Sequence, residues 1–427
     1  MRAEAPPRSL SIPSAHSPAA GCLALVIERA RRSPPWFLPP SSRRLGALFA
    51  LTLGAACTSQ PPEPDPPAPS PAPAPDEPDE PGPYAPGVTT LTWDDATGHR
   101  HTVEVWYPAI TFDRRLPDPY PGFNVTRQGL RDADADLTGA PYPLVAFSHG
   151  LQATRLQSIF ITEHLASHGY VVVAPDHVGS LILDTVRNRL VEVAMRRPSD
   201  VRAAVDRVFA DAQGTGPLAG LISDDRYAMM GHSFGAFTAL ALSGGTLDVD
   251  AAVDWCADPP TAANGCNHIN PNRFDPAAVA STDLSDPRVM ATVAFSPGLW
   301  WTFGPNGSSL ANLPPTLMLA GTRDFILDYD VEARPTWQAS PSASLLSVED
   351  AGHLGFSDLC QFLSFFEDCV GPEGGFTSFE DVHRISVPAV TAFLDVHWRG
   401  NTTHDDWLRP DAWSHEPLAT WEDHEAL

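Results

Sequence analysis

Not one lysine occurs among the 427 residues; all 27 basic side chains are arginine, set against 52 Asp and Glu for a formal net charge of −25. Nucleic acid and anionic lipid both need a basic footprint, so this balance excludes either as an electrostatically held partner. Long hydrophobic runs are also missing. The apolar stretch from Leu45 to Ala56 is shorter than the about 20 residues that span a bilayer. Cysteine is sparse, with Cys22 and Cys57 upstream and Cys256, Cys266, Cys360 and Cys369 further on. Neither close pair has tight C-x-x-C spacing, so no metal is expected there, and no sequence signal calls for a cofactor.

Proline, by contrast, is abundant, with 45 in the chain. Much of it falls between Pro61 and Pro86, where Pro, Ala, Asp and Glu alternate without apolar periodicity. Such a stretch buries too little surface to offset chain entropy and is expected to form an extended, disordered acidic tether over residues 58–87. Upstream of it, Arg43-Arg44, the apolar run and the small residues before Cys57 have the layout of an export signal. They resemble a bacterial lipobox with Cys57 as the lipidated residue, although Leu53 lies one place too far from it. Residues 1–57 are therefore expected to be an extension and signal, and the protein an exported, lipid-anchored monomer. Export permits disulfides, and the two close pairs predict Cys256–Cys266 and Cys360–Cys369 out of three possible connectivities.

Past the tether, Val88–Trp93 and His101–Tyr107 alternate apolar and polar residues around Ala96-Thr97-Gly98, predicting an antiparallel hairpin. Short buried strands are expected at Pro143–Phe147, Tyr170–Pro175, Val289–Phe295, Pro315–Ala320 and Ser344–Val348, with helices near Ser199–Ala210 and Val387–Val396. The alternation predicts an α/β domain over residues 88–400: a mostly parallel, doubly wound sheet with helices on both faces. Residues 401–427 read as an acidic C-terminal tail. Asp258–Asp286 and Gly355–Glu380 interrupt the rhythm as insertions over the carboxyl edge. The aromatics of the second, Phe356, Phe362, Phe365 and Phe366, are expected either to roof a pocket or to pack the insertion down.

The chain is organised around Tyr227-Ala228-Met229-Met230-Gly231-His232-Ser233-Phe234-Gly235, an apolar run entering G-x-S-x-G and then a helix. A strand turning sharply into a helix is a nucleophile elbow, which exposes the Ser233 hydroxyl at the sheet's carboxyl edge. Gly231 and Gly235 fit a turn too close for a Cβ. A serine hydroxyl attacks only when an imidazole takes its proton, and the imidazole needs a carboxylate to fix its tautomer. In the order Ser, acid, His, the candidates are Ser233, Asp324 and His353, the last two lying just past predicted strands. Asp254, Asp328 and Asp330 are alternative acids. The oxyanion donors are expected to be the amides of Phe234 and Leu151, with His149 bracing the loop before Leu151.

Phe147-Ser148-His149-Gly150-Leu151, Leu165-Ala166-Ser167-His168-Gly169-Tyr170 and Gly231-His232-Ser233-Phe234-Gly235 together resemble the platelet-activating-factor acetylhydrolase (plasma and type II) and dienelactone-hydrolase-like branch of the α/β-hydrolases. The resemblance implies a calcium-independent serine esterase acting on short or oxidised acyl esters, including phospholipids, with Ser233 as nucleophile and Leu151 and Phe234 as oxyanion donors. It departs at the acid. The acetylhydrolases carry theirs after the strand that follows the elbow unit, where this chain has Ala294-Phe295-Ser296-Pro297. Asp324 instead looks like the acid of bacterial polyester hydrolases and dienelactone hydrolases. A polyester or cutin-like substrate is the alternative, with Trp300 and Trp301 lining a cleft or simply packing in the core. A catalytically silent binding module is the competing class.

Overall fold

A computed structural model of the chain describes residues 77–111, Tyr120, 128–185, 189–261, 263–268 and 274–424. Cys57, the export signal and most of the tether lie outside the described residues.

Ten strands form a single sheet. β1 (Ala85–Asp94) and β2 (Arg100–Ala109) make the expected hairpin. β3 (Leu130–Arg131) flanks it, and β2 joins β5 (Val171–Pro175) antiparallel. From β5 the order runs in parallel through β4 (Leu144–Ser148), β6 (Tyr227–His232), β7 (Val289–Phe295), β8 (Thr316–Gly321) and β9 (Ala343–Val348). β10 (Ala419–Asp423) closes the far edge antiparallel to β9.

Strand alternation sends side chains to two cores. Val172, Ala174, Ala228 and Met230 face one; Val171, Val173, Tyr227 and Met229 face the other. The first is covered by α1 (Ile159–Ser167) and α7 (Phe379–Leu394). The second is covered by α2 (Leu190–Ala212) and α3 (Phe234–Leu242), whose far end continues into a third cluster with Trp337 of α6 (Arg334–Gln338). The short helix α4 (Val249–Trp255) precedes the first insertion, α5 (Pro276–Ala280) lies within it, and α8 (Pro410–Trp413) precedes β10. α2 begins nine residues before the predicted Ser199 and carries Pro198 within it.

Two boundaries differ from the sequence reading. Residues 401–424 are not a tail outside the domain: β10 belongs to the sheet, and Trp421 packs into the first core. Nor is the tether free up to its last proline. The Gly82 and Tyr84 amides donate to Ser167, and the rings of His164 and His168 bond the carbonyls of Pro78 and Glu80. The segment docks because its backbone groups satisfy the end of α1. Both disulfides, Cys256–Cys266 and Cys360–Cys369, are formed.

Candidate active site

β4 leads to β5 on one side and its neighbour β6 leads to β7 on the other, so the loops after β4 and β6 diverge at the switch point where open α/β sheets place ligands. Register does the positioning. Ser148 pairs with Gly231, which sets the loop after β4 beside the turn after β6. Gly321 pairs with Val348, which sets the loops after β8 and β9 side by side.

Ser233 has φ 58° and ψ −120°, a conformation that a non-glycine residue adopts only when its surroundings impose it. They do. A Cβ at Gly231 would strike the Gly235 carbonyl, and one at Gly235 would strike the Ser148 carbonyl. The Ser233 amide donates to the Phe295 carbonyl at 2.9 Å, tying the turn to β7. Phe234 opens α3, so its amide is a first-turn donor without a helical acceptor.

His353 donates from Nδ1 to Asp324 Oδ2 at 2.6 Å, and both side chains are buried. Asp324 Oδ1 accepts from the amides of Ile326 and Leu327, each at 2.8 Å, which holds the carboxylate in place. The alternative acids fall away. Asp254 is exposed on α4, and Asp328 caps the turn after it through the amides of Asp330 and Val331. At the acetylhydrolase position stands Ser296, at φ 44°, its hydroxyl buried without a partner.

The loop after β4 is braced from below. His149 donates from Nδ1 to the Gly150 carbonyl at 2.7 Å and accepts the His177 amide on Nε2 at 3.1 Å, so it is a neutral structural ring, and burial pushes its pKa far down. The Gly150 amide donates to Gln157 Oε1 at 2.6 Å, leaving Leu151 next in line at the cavity.

Sequence reasoning missed four supporting residues. Arg197 is completely buried; it donates to Thr238, Ser180 and Ser148 at 2.8–3.1 Å and to the His149 carbonyl, while its guanidinium lies 4.7 Å from the Phe234 ring centre. Burial lowers its pKa to about 9. His232 donates from Nε2 to the His353 carbonyl at 2.9 Å, and burial holds it neutral with a pKa of about 3. Asp368 Oδ2 accepts the Leu354 amide at 2.8 Å, and a Cβ at Gly352 would collide with it. Buried Glu332 accepts the Leu299 amide at 2.7 Å and the Trp301 indole at 3.3 Å. Only position 368, beside a disulfide cysteine, carries any local hint.

Ser233, Phe234, Leu151 and His353 line one cavity of about 550 Å³. Its other walls are largely apolar, including Met195, Phe237, Leu299, Trp301, Leu327 and Leu363. Both insertions contribute, through Gly265 and Phe274 from the first and Leu359, Leu363 and Phe366 from the second. Trp301 reaches the cavity while stacking on Trp255 at 4.7 Å; Trp300 instead bonds the Val331 carbonyl.

A strained elbow after the central strand β6, with the carboxylate and histidine on the loops after β8 and β9, defines the class: the chain has the α/β-hydrolase fold. Residues 128–187 match the family model for platelet-activating factor acetylhydrolase, isoform II, a stretch well under half the chain. Cutinase est1 of Thermobifida alba is 31% identical over 112 residues, 26% of this chain and 34% of that protein. Cutinase cut1 of Thermobifida fusca is 31% identical over 112 residues and 31% of its own length. The chain thus spans about a third of the curated relatives it matches. A ferulic acid esterase from Streptomyces cinnamoneus superposes with a TM-score of 0.54 at 22% identity, covering 80% of this chain and 97% of that one.

Proposed function

We propose that the protein is a serine esterase that hydrolyses carboxylic esters with a sizeable apolar acyl part. What supports this most is the 2.6 Å bond from His353 to Asp324 on the wall of the same apolar cavity that the Ser233 elbow lines. In the proposed reaction the Ser233 hydroxyl attacks the ester carbonyl while His353 Nε2 takes its proton. Asp324 stabilises the imidazolium, and the amides of Phe234 and Leu151 receive the oxyanion. His353 then protonates the departing alcohol, and water admitted to the site releases the acid from the acyl-enzyme by the reverse sequence.

The cavity guides the substrate class. Its volume lies within the 300–1,000 Å³ range of ordinary ligand sites and exceeds what an acetyl group fills. No arginine lines it among the described residues, and Asp248 does, so it suits hydrocarbon and disfavours a buried phosphate. A second observation favours substrate presented at an apolar surface. Ile182 and Phe366 line the cavity yet are exposed, and their neighbours Leu183 and Phe365 are 95% and 76% exposed. This rim suits a polyester or lipid aggregate better than a small solute. Export and lipidation at Cys57 are part of the same proposal, supported by the two disulfides.

The test is fluorophosphonate labelling of the wild type and Ser233→Ala, with hydrolysis of p-nitrophenyl esters from acetate to octanoate on the same samples. Labelling and turnover that vanish in the variant, with a preference for longer chains, are expected. A folded wild type that neither labels nor turns over would favour the binding-module reading.

A further inference from the structure

We propose that His99, His101 and Asp200 form a binding site for one divalent transition-metal ion of the zinc type, away from the catalytic cavity. The sequence puts the first two on one face: side chains two apart along an extended segment point the same way, and that face of β2 packs, through Val103 and Val105, against α2. Asp200 projects from α2 into the same contact.

One ring nitrogen there lacks the partner that burial demands, and it faces a buried carboxylate. His99 Nε2 is shielded from solvent and has no hydrogen-bond partner. Asp200 is 2% exposed; its Oδ2 accepts His177 Nδ1 at 3.0 Å, and its Oδ1 faces His99 Nε2 at 3.7 Å, beyond hydrogen-bonding distance. An ion between them gives His99 Nε2 its partner and sets a positive charge against the buried carboxylate. A ring nitrogen of His101 completes the set, all three ligand atoms lying within 4.8 Å of one another. Tetrahedral zinc with ligands at about 2.0–2.1 Å needs them roughly 3.3 Å apart, a contraction that small side-chain rotations supply.

The donor types select the metal. Two imidazoles and one carboxylate suit zinc and its neighbours, whereas calcium requires six to eight oxygens. His101 is already oriented, stacked on Trp93 with ring centres 4.8 Å apart and 3.4 Å from Asp95 Oδ2. Arg196, whose Nε lies 3.9 Å from Asp200 Oδ2, is the positive charge that competes with the ion.

The site also leads inward. His177 bonds Asp200 through Nδ1 and Ser148 Oγ through Nε2 at 2.9 Å, and its amide bonds His149. The proposed metal-bound carboxylate therefore stands behind the loop that carries Leu151.

The experiment is calorimetric titration of zinc chloride into the untagged, EDTA-dialysed full chain, with cobalt(II) absorption as a second probe. One equivalent should bind with micromolar or tighter affinity, cobalt should give tetrahedral bands, and Tm should rise by several degrees. His99→Ala, on the partly exposed ligand, should weaken binding on the order of a hundredfold while folding normally, and Arg196→Gln should tighten it. Wild type without stoichiometric binding, or binding and Tm shift unchanged in both His99→Ala and His101→Gln, would overturn the site. None of these readouts depends on esterase activity.

Discussion

His232 and His353 are joined by a hydrogen bond that runs opposite to expectation for paired histidines: the His232 ring donates from Nε2 to the backbone carbonyl of His353 at 2.9 Å, while the two rings lie 4.8 Å apart, tilted. The residue before the candidate nucleophile thereby fixes the backbone of the candidate base. Burial pushes the His232 pKa down to about 3, so the ring stays neutral near neutral pH.

Replacing His232 separates this duty from packing. His232→Phe keeps a ring but loses the donor, and kcat is expected to fall roughly tenfold to a hundredfold through misplacement of His353. Tm should drop less than in His232→Ala, which also leaves a cavity. Steady-state kinetics and calorimetry on the two variants check this.

The acid is testable by comparison. Asp324→Asn should lower kcat on the order of 10³–10⁴-fold, because the amide no longer fixes the His353 tautomer or stabilises its charge. Asp254→Asn, on exposed α4, should leave it unchanged. The reverse pattern would reassign the acid.

Arg197 acts through the backbone it holds. Arg197→Met should reduce kcat about tenfold to a hundredfold with KM little altered, since the guanidinium braces the His149 carbonyl and the Phe234 ring rather than the cavity. Arg197→Lys should recover only part, because a point charge does not reproduce four directed bonds. The rate of fluorophosphonate labelling should follow kcat.

Glu332 makes stability depend on pH. Burial raises its pKa from the usual 4.5 to about 7, so the folded state favours the protonated acid. Its contribution is full below pH 4.5 and is lost as pH rises toward 7, on the order of 3 kcal/mol in all. Asp200 adds a slope of the same sign. Glu332→Gln keeps an acceptor for the Leu299 amide and removes one titration. Tm measured from pH 4.5 to 8 should decline less steeply in the variant.

The disulfides should differ in effect. Each closes a short loop worth about 2–3 kcal/mol. Replacing Cys360 and Cys369 with serine should also lower kcat, because Asp368 beside Cys369 holds the Leu354 amide next to His353. Replacing Cys256 and Cys266 should chiefly alter acyl-length preference, since Gly265 lines the cavity. Chain-length profiles of both pairs decide it.

What lay within a few residues was legible in the sequence. The elbow declares itself because its glycines answer a steric demand inside the turn, and the buried strands β4 to β9 because their apolar runs are continuous. The disulfides are readable because short loops leave little choice of partner. The far edge was not readable: β10 buries Trp421 between exposed and half-buried residues, and so gives no apolar run to read. The acid and the residues behind the loops were decided only by tertiary structure. Asp324 rather than Asp254 meets His353 because β8 and β9 pair in register, and Arg197 meets His149 because α2 packs beneath β4. Such contacts join residues dozens of positions apart, and no local periodicity encodes a single buried polar side chain.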